Sequence, residues 1–72
     1  MEFKPGDIIE VTLSGDSKFL GIVMRFDMDG DLVVRFLEEE RGTVIRYGCE
    51  YVVSVDSARK LFSSPEYLSR NG

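Results

Sequence analysis

Within "RFDMDGDLVVRFLEEE" (25–40), Asp27, Asp29, Asp31 and Glu38 occupy positions 1, 3, 5 and 12 of a twelve-residue window. That is the carboxylate spacing of a calcium loop, in which hard oxygen ligands surround the ion. Other residues here could also do chemistry. Arg25, Arg35 and Arg46 recur in segments of alternating polarity, and guanidinium groups bind carboxylates and phosphates through paired hydrogen bonds. Glu38, Glu39 and Glu40 form an acidic run, a pattern that ordinarily marks a solvated surface.

The calcium reading fails on its own geometry. Such a loop needs Gly at its sixth position for a sharp turn, and Leu32 stands there, with Gly30 two places early. Both flanks alternate as strands, whereas a calcium loop joins helices. Asp27-Met28-Asp29-Gly30 suits a type I turn instead, with Asp first and Gly fourth, where a left-handed residue completes a three-residue hairpin loop with a bulge. Parity selects this register, because a slip of one residue exchanges the faces of a hairpin. A two-residue Asp29-Gly30 loop sets Met24 against Arg35 and mixes the faces. The three-residue loop sets Phe26 opposite Leu32, Met24 opposite Val34 and Ile22 opposite Phe36, which keeps one face apolar.

Nothing in the chain assembles a catalytic group. There is no His, Cys49 sits in Gly-Cys-Glu without an imidazole partner, and no phosphate-cradling glycine loop or metal-ligand spacing is present. The sequence therefore reads as non-catalytic, without cofactor or metal.

The scaffold is small. At 72 residues the chain is one domain, and folding at this size buries roughly 60% of the surface of the unfolded chain. The formal charge of −4 counts against a protein that wraps nucleic acid. No run approaches the ~20 apolar residues of a membrane span, the start lacks a secretory signal, and a lone Cys49 suits a reducing compartment, so a cytoplasmic protein is expected.

Lys4-Pro5-Gly6-Asp7 is turn chemistry, and strands are predicted over 8–13, 20–26, 32–37, 43–47 and 51–55 from their alternation and β-branched content. Beyond them, Asp56 or Ser57 caps a helical turn through Leu61, and Ser64-Pro65 opens a second. Leu61, Phe62, Tyr67 and Leu68 are apolar enough to pack this tail on the strands. The expected fold is all-β: a barrel over 1–55 and a short helical tail over 56–72.

"PGD" (5–7), the loop Gly15 and "GIV" (21–23) resemble the KOW and Tudor group of SH3-like barrels, and "GIVMRFD" followed by "LVVRF" is similar to an SH3-like component of photosystem I. The resemblance spans 3–55. It implies a five-stranded SH3-like small barrel, and partners among transcription, translation or electron-transfer complexes. A Tudor-like aromatic cage for methylated Lys or Arg would draw on Phe19, Tyr47 and Tyr51, which would otherwise cap the barrel end.

Extending the parity argument sets Ile9 opposite Met24, Val11 opposite Ile22, Phe36 opposite Ile45 and Val34 opposite Tyr47. The predicted core is Ile9, Val11, Leu13, Leu20, Ile22, Met24, Phe26, Leu32, Val34, Phe36 and Ile45, closed by Val53 and Val55. On the outer face Arg35 and Arg46 become cross-strand neighbours, a repulsive pair, relieved by Glu10 or Glu50 or, together with Arg25, by an acidic or phosphate-bearing partner. The predicted partner face is Arg25, Arg35 and Arg46 with Val23, Val33, Leu37 and Val44, together with the loop Glu38, Glu39 and Glu40. The leading expectation is a protein-binding module docked on a larger complex, and the alternative is a KOW-like nucleic-acid-binding module. The chain is expected to be monomeric or weakly self-associating through the tail.

Overall fold

Asp27 organises its turn with its own side chain: Oδ1 accepts the N–H of Asp29 (2.9 Å) and of Asp31 (3.0 Å), while the Gly30 N–H donates to the Asp27 carbonyl (3.1 Å). Gly30 has φ 86°, a conformation that residues with a Cβ rarely adopt. The turn is thus the hairpin read from the sequence, with Phe26 opposite Leu32. Calcium added at millimolar levels should leave the melting temperature unchanged, whereas a site filled at 100 times its Kd would add ~2.7 kcal/mol, a shift of several degrees. Asp27→Ala should instead cost about 1 kcal/mol by removing an acceptor that serves two backbone donors, and a calcium-dependent rise in melting temperature that this variant abolishes would overturn the assignment.

The structure, a computed structural model, describes residues 3–13 and 15–63. Its elements are β1 (Ile8–Thr12), β2 (Lys18–Phe26), β3 (Leu32–Phe36), β4 (Glu50–Val53), a 3-10 turn (Val55–Ser57) and β5 (Ala58–Phe62). All pairings are antiparallel, and the five strands form one sheet in the order β4-β3-β2-β1-β5. One expected strand is absent and one strand was not expected. Residues 43–47 are loop, and 58–62, expected as a helical turn, form β5. The cap is Ser54 and not Asp56 or Ser57: its Oγ accepts the Asp56 N–H (3.2 Å), and the helix ends after three residues. So short a helix has little stability of its own, whereas pairing with β1 satisfies backbone groups along the whole segment. The expected helix at Ser64-Pro65, and Tyr67 and Leu68 with it, lie outside the described residues.

β4 and β5 are the two outer strands of the sheet and are not paired with each other. From Val53 to Ala58 is five residue steps, at most ~18 Å if fully extended, and the 3-10 turn shortens that. Opposite edges of a flat five-stranded sheet would lie ~19 Å apart, so this sheet cannot be flat.

Packing departs from the predicted parity in β2. Val23 pairs with Val34 and Arg25 with Val33, so Met24 is a bulged residue, two positions facing one. A bulge reverses the faces of everything before it. Phe19 and Val23 consequently point inward, and Leu20, Ile22 and Met24 leave the core to which parity had assigned them. β1 follows the same shift, with Ile9 opposite Gly21 and Val11 opposite Phe19, in place of Met24 and Ile22. One buried cluster gathers Phe3, Ile9, Val11, Val23, Leu32, Val34 and Val53; a second gathers Phe19, Phe36 and Ile45, and Leu13 packs against both. Phe26 and Val55, expected inside, are 44% and 40% exposed, the first at the hairpin end and the second in the 3-10 turn.

The entrance to β1 is held by Asp7. Its carboxylate is fully buried, with Oδ2 accepting the Lys4 N–H (2.7 Å) and standing 3.5 Å from Lys60 Nζ on β5. The ammonium also lies 6.0 Å from the centroid of the Phe3 ring.

Candidate functional site

Ile8, Ile22, Arg35 and Glu50 form one row across β1, β2, β3 and β4 on the outer face of the sheet. Arg25, after the bulge, faces the same way. Glu50 joins the two cations: Oε1 lies 3.4 Å from Arg25 Nη1 and Oε2 lies 3.2 Å from Arg35 Nη2. One carboxylate therefore serves two guanidinium groups and leaves the cluster with net positive charge. The Arg side chains are 62% and 47% exposed, so water screens these pairs and they add little to stability. Their remaining N–H groups face solvent and can bind an acceptor.

Arg46 is not part of this row. Glu50 stands opposite Arg35 where Arg46 was expected, because β4 is built from 50–53 and 43–47 belongs to the long connection from β3. Glu10, the other residue expected over the Arg pair, is engaged instead by Arg59 of β5 at 3.2 Å.

The connection is tied to the sheet by the Leu37 N–H, which donates to the Leu20 carbonyl (3.0 Å), by the bonds of Gly48 and Cys49 to Phe36, and by two side chains. Glu38 Oε2 accepts the Leu20 N–H (2.7 Å), a donor beyond the end of β3, and Ile45 drops into the cluster with Phe19 and Phe36. Between them Thr43 turns the chain: its hydroxyl donates to the Glu40 carbonyl (2.9 Å) and accepts the Ile45 N–H (3.0 Å). Glu39, Glu40, Arg41 and Arg46 rim an open depression of about 210 Å³ over Ile45.

The residues predicted to form one partner face thus divide three ways. Arg25, Arg35 and Val33 lie on the outer sheet, although Val33 is buried between Arg25 and Val52. Leu37, Glu38, Glu39, Glu40, Val44 and Arg46 lie on the connection, with Val44 well exposed. Val23 is in the core, turned inward by the bulge. Parity assigned Leu20 and Ile22 to the core, whereas the structure puts both, with Ile8 and Val52, on the outer face beside the Arg cluster. Ile8 is outward by the same parity that turns Ile9 inward, since consecutive apolar residues in a strand occupy both faces.

The three aromatics considered for a cage do not converge. Phe19 is buried and meets Phe36 edge-on at 6.3 Å, Tyr51 covers the other side of Phe36 at 5.7 Å, and Tyr47 is largely exposed. Among the described residues no His, Cys, Asp and Glu cluster is placed to hold a metal, and no helix is long and apolar enough to cross a membrane. No protein-family profile, no curated protein sequence and no solved structure matches this chain.

Proposed function

We propose that this protein is a non-catalytic protein-binding module that docks on a larger complex through the outer face of its sheet. The observation that carries the reading is the Arg25–Glu50–Arg35 cluster, solvent-facing and short of one negative charge, set beside the apolar Leu20, Ile22 and Val52. Charged groups flanking exposed apolar surface are the makings of an interface with a polar rim. The complementary partner surface carries a carboxylate against the two Arg groups. The acidic connection from Glu38 to Glu40 lies on a separate part of the molecule and extends the contact to basic groups of the same complex.

The scaffold we propose is a small SH3-like barrel of the KOW or Tudor type. Support comes from the strand order, from a sheet too tightly linked at its edges to be flat, and from the 3-10 turn that joins the last two strands.

The test is capture from a lysate of the source cell with the intact chain and with Arg25→Gln/Arg35→Gln. The double variant should fold with a stability within about 1 kcal/mol of the parent. It should bind the captured protein about tenfold more weakly, as expected for loss of an interface Arg anchor. Capture that survives nuclease and is lost in the variant supports the reading. Capture abolished by nuclease, with affinity falling steeply in salt, would replace it with nucleic-acid binding.

A further inference from the structure

The two edges of the sheet are defended unequally. β5 carries Arg59 and Lys60 and a bulge at Leu61, where the pairing with β1 shifts between Ile8 and Ile9. Charge and irregularity of this kind keep an edge from recruiting other strands. β4 has no bulge between Glu50 and Val53, and its one charge, Glu50, is paired with Arg25 and Arg35 on the outer face. Its sequence is Glu50-Tyr51-Val52-Val53, it pairs with β3 without a register shift, and the first three residues are exposed.

The direction of its backbone groups follows from the ladder. Phe36 N–H donates to the Cys49 carbonyl (3.0 Å) while Phe36 O accepts the Gly48 N–H (2.8 Å), a bulge in which Gly48 and Cys49 together meet Phe36 and the Cys49 carbonyl sets the alternation of the ladder that follows. Antiparallel pairs alternate. Tyr51 and Val53 therefore also bond to β3, and the N–H and C=O of Glu50 and Val52 point away from the sheet, with no partner among the described residues. Val52 is 53% exposed.

We propose that β4 is a self-pairing edge, at which two copies of the chain join antiparallel about Val52 to make one continuous sheet. The choice of occupant rests on charge and register. Because only alternate residues offer outward hydrogen bonds, a two-fold centred on Val52 uses them: each Val52 bonds reciprocally to its counterpart. The same register sets Tyr51 against Val53 on one face and Glu50 against Ser54 on the other. No charged residue meets its own copy. Glu50 is already neutralised by Arg25 and Arg35, so it asks for no cation from the incoming strand, and a polar Ser suffices. A four-residue edge buries less than the ~1,200 Å² of a standard stable interface, so the dimer is a weak one that forms with concentration. Each chain has a formal charge of −4, and screening this repulsion makes added salt strengthen the dimer.

Sedimentation equilibrium of the full chain, up to about 1 mM where weak association becomes measurable, reads the mass, and amide hydrogen exchange reads the edge. Dimer should appear with concentration, rise with salt, and slow the exchange of the Glu50 and Val52 amides. Val52→Lys, an exposed change that confronts two cations, should weaken dimerisation at least about tenfold while the monomer stays folded by circular dichroism. In a Cys49→Ser background, Val52→Cys should cross-link to its own copy under mild oxidation, as a directly opposed pair ~5.5 Å apart allows. Ser54→Cys, offset from its copy by four residues along the strand, should not. A monomer at the highest concentration with unprotected Glu50 and Val52 amides overturns the proposal and leaves this edge to a partner's strand. A dimer that survives Val52→Lys, or that cross-links equally through Ser54→Cys, overturns it as well, since the contact then lies elsewhere.

Discussion

Asp7→Ala should destabilise the protein by about 3–5 kcal/mol, the range for leaving a buried charge pair with one partner missing. A domain of 72 residues holds roughly 4–11 kcal/mol in all, so this single change removes a large share of it. The reason is the number of elements that meet at one side chain. The carboxylate is inaccessible to water, accepts the Lys4 N–H that closes the Pro5-Gly6 turn, and faces Lys60 on the outermost strand. The Asp7 backbone is engaged too, its carbonyl accepting the Val23 N–H (2.9 Å) next to the bulge. Removing the carboxylate strands a backbone donor and a partly desolvated ammonium together. Lys60 is 27% exposed and can turn toward water, so Lys60→Met should cost less, about 1 kcal/mol, because it keeps a side chain of similar length and apolar volume. Urea denaturation of the two single variants and the double variant measures the asymmetry. A loss below 1 kcal/mol for Asp7→Ala would mean that the turn stands without it.

Gly21→Ala should cost about 1–3 kcal/mol, the range for overpacking a filled core. A Cβ at this position would fall well inside the van der Waals surface of Val34 Cγ1 and 3.3 Å from the Arg35 carbonyl oxygen. The backbone carbonyl cannot yield without disturbing the β2–β3 ladder, and Val34 is buried on all sides. Gly21 stands opposite Phe36, the ring that Phe19 and Tyr51 enclose. Val34→Ala in the Gly21→Ala background should recover part of the loss, giving a coupling of more than about 0.5 kcal/mol for residues in contact. Purely additive costs would show that the limit is set by the backbone and not by Val34.

Some of this was legible residue by residue. Asp27 and Gly30 specify their turn through local chemistry, a side-chain oxygen reaching donors two and four residues ahead and a glycine able to take positive φ. That turn fixed the pairing of Phe26 with Leu32. Ile9, Val11, Leu32, Val34, Phe36 and Val53 were identifiable as buried, because apolar residues at alternate positions of a strand have one face to hide; Ile45 is buried too, but from a loop and not from the strand expected there. Arg25 and Arg35 were placed on the outer face, and Glu50 was one of two carboxylates expected to offset a cation pair there.

The remainder was settled by contacts distant in the chain. Nothing in "GIVMRFD" marks Met24 as the extra residue; the bulge arises where β2 must serve β1 on one side and β3 on the other, and it alone moved Val23 inside and Ile22 outside. Likewise "TVIRY" and "ARKLF" each have enough β-forming residues for a strand, yet only the second finds an open partner. The edge of β1 was unpaired and in reach of 58–62, whereas the place beside β3 was taken by 50–53, whose pairing sets Glu50 rather than Arg46 opposite Arg35. Turns and the alternation of single strands are local properties, written in a few adjacent side chains. Which strand lies beside which, and therefore which charges meet, depends on competition for backbone hydrogen bonds across the whole sheet, and that is decided only when all the strands have come together.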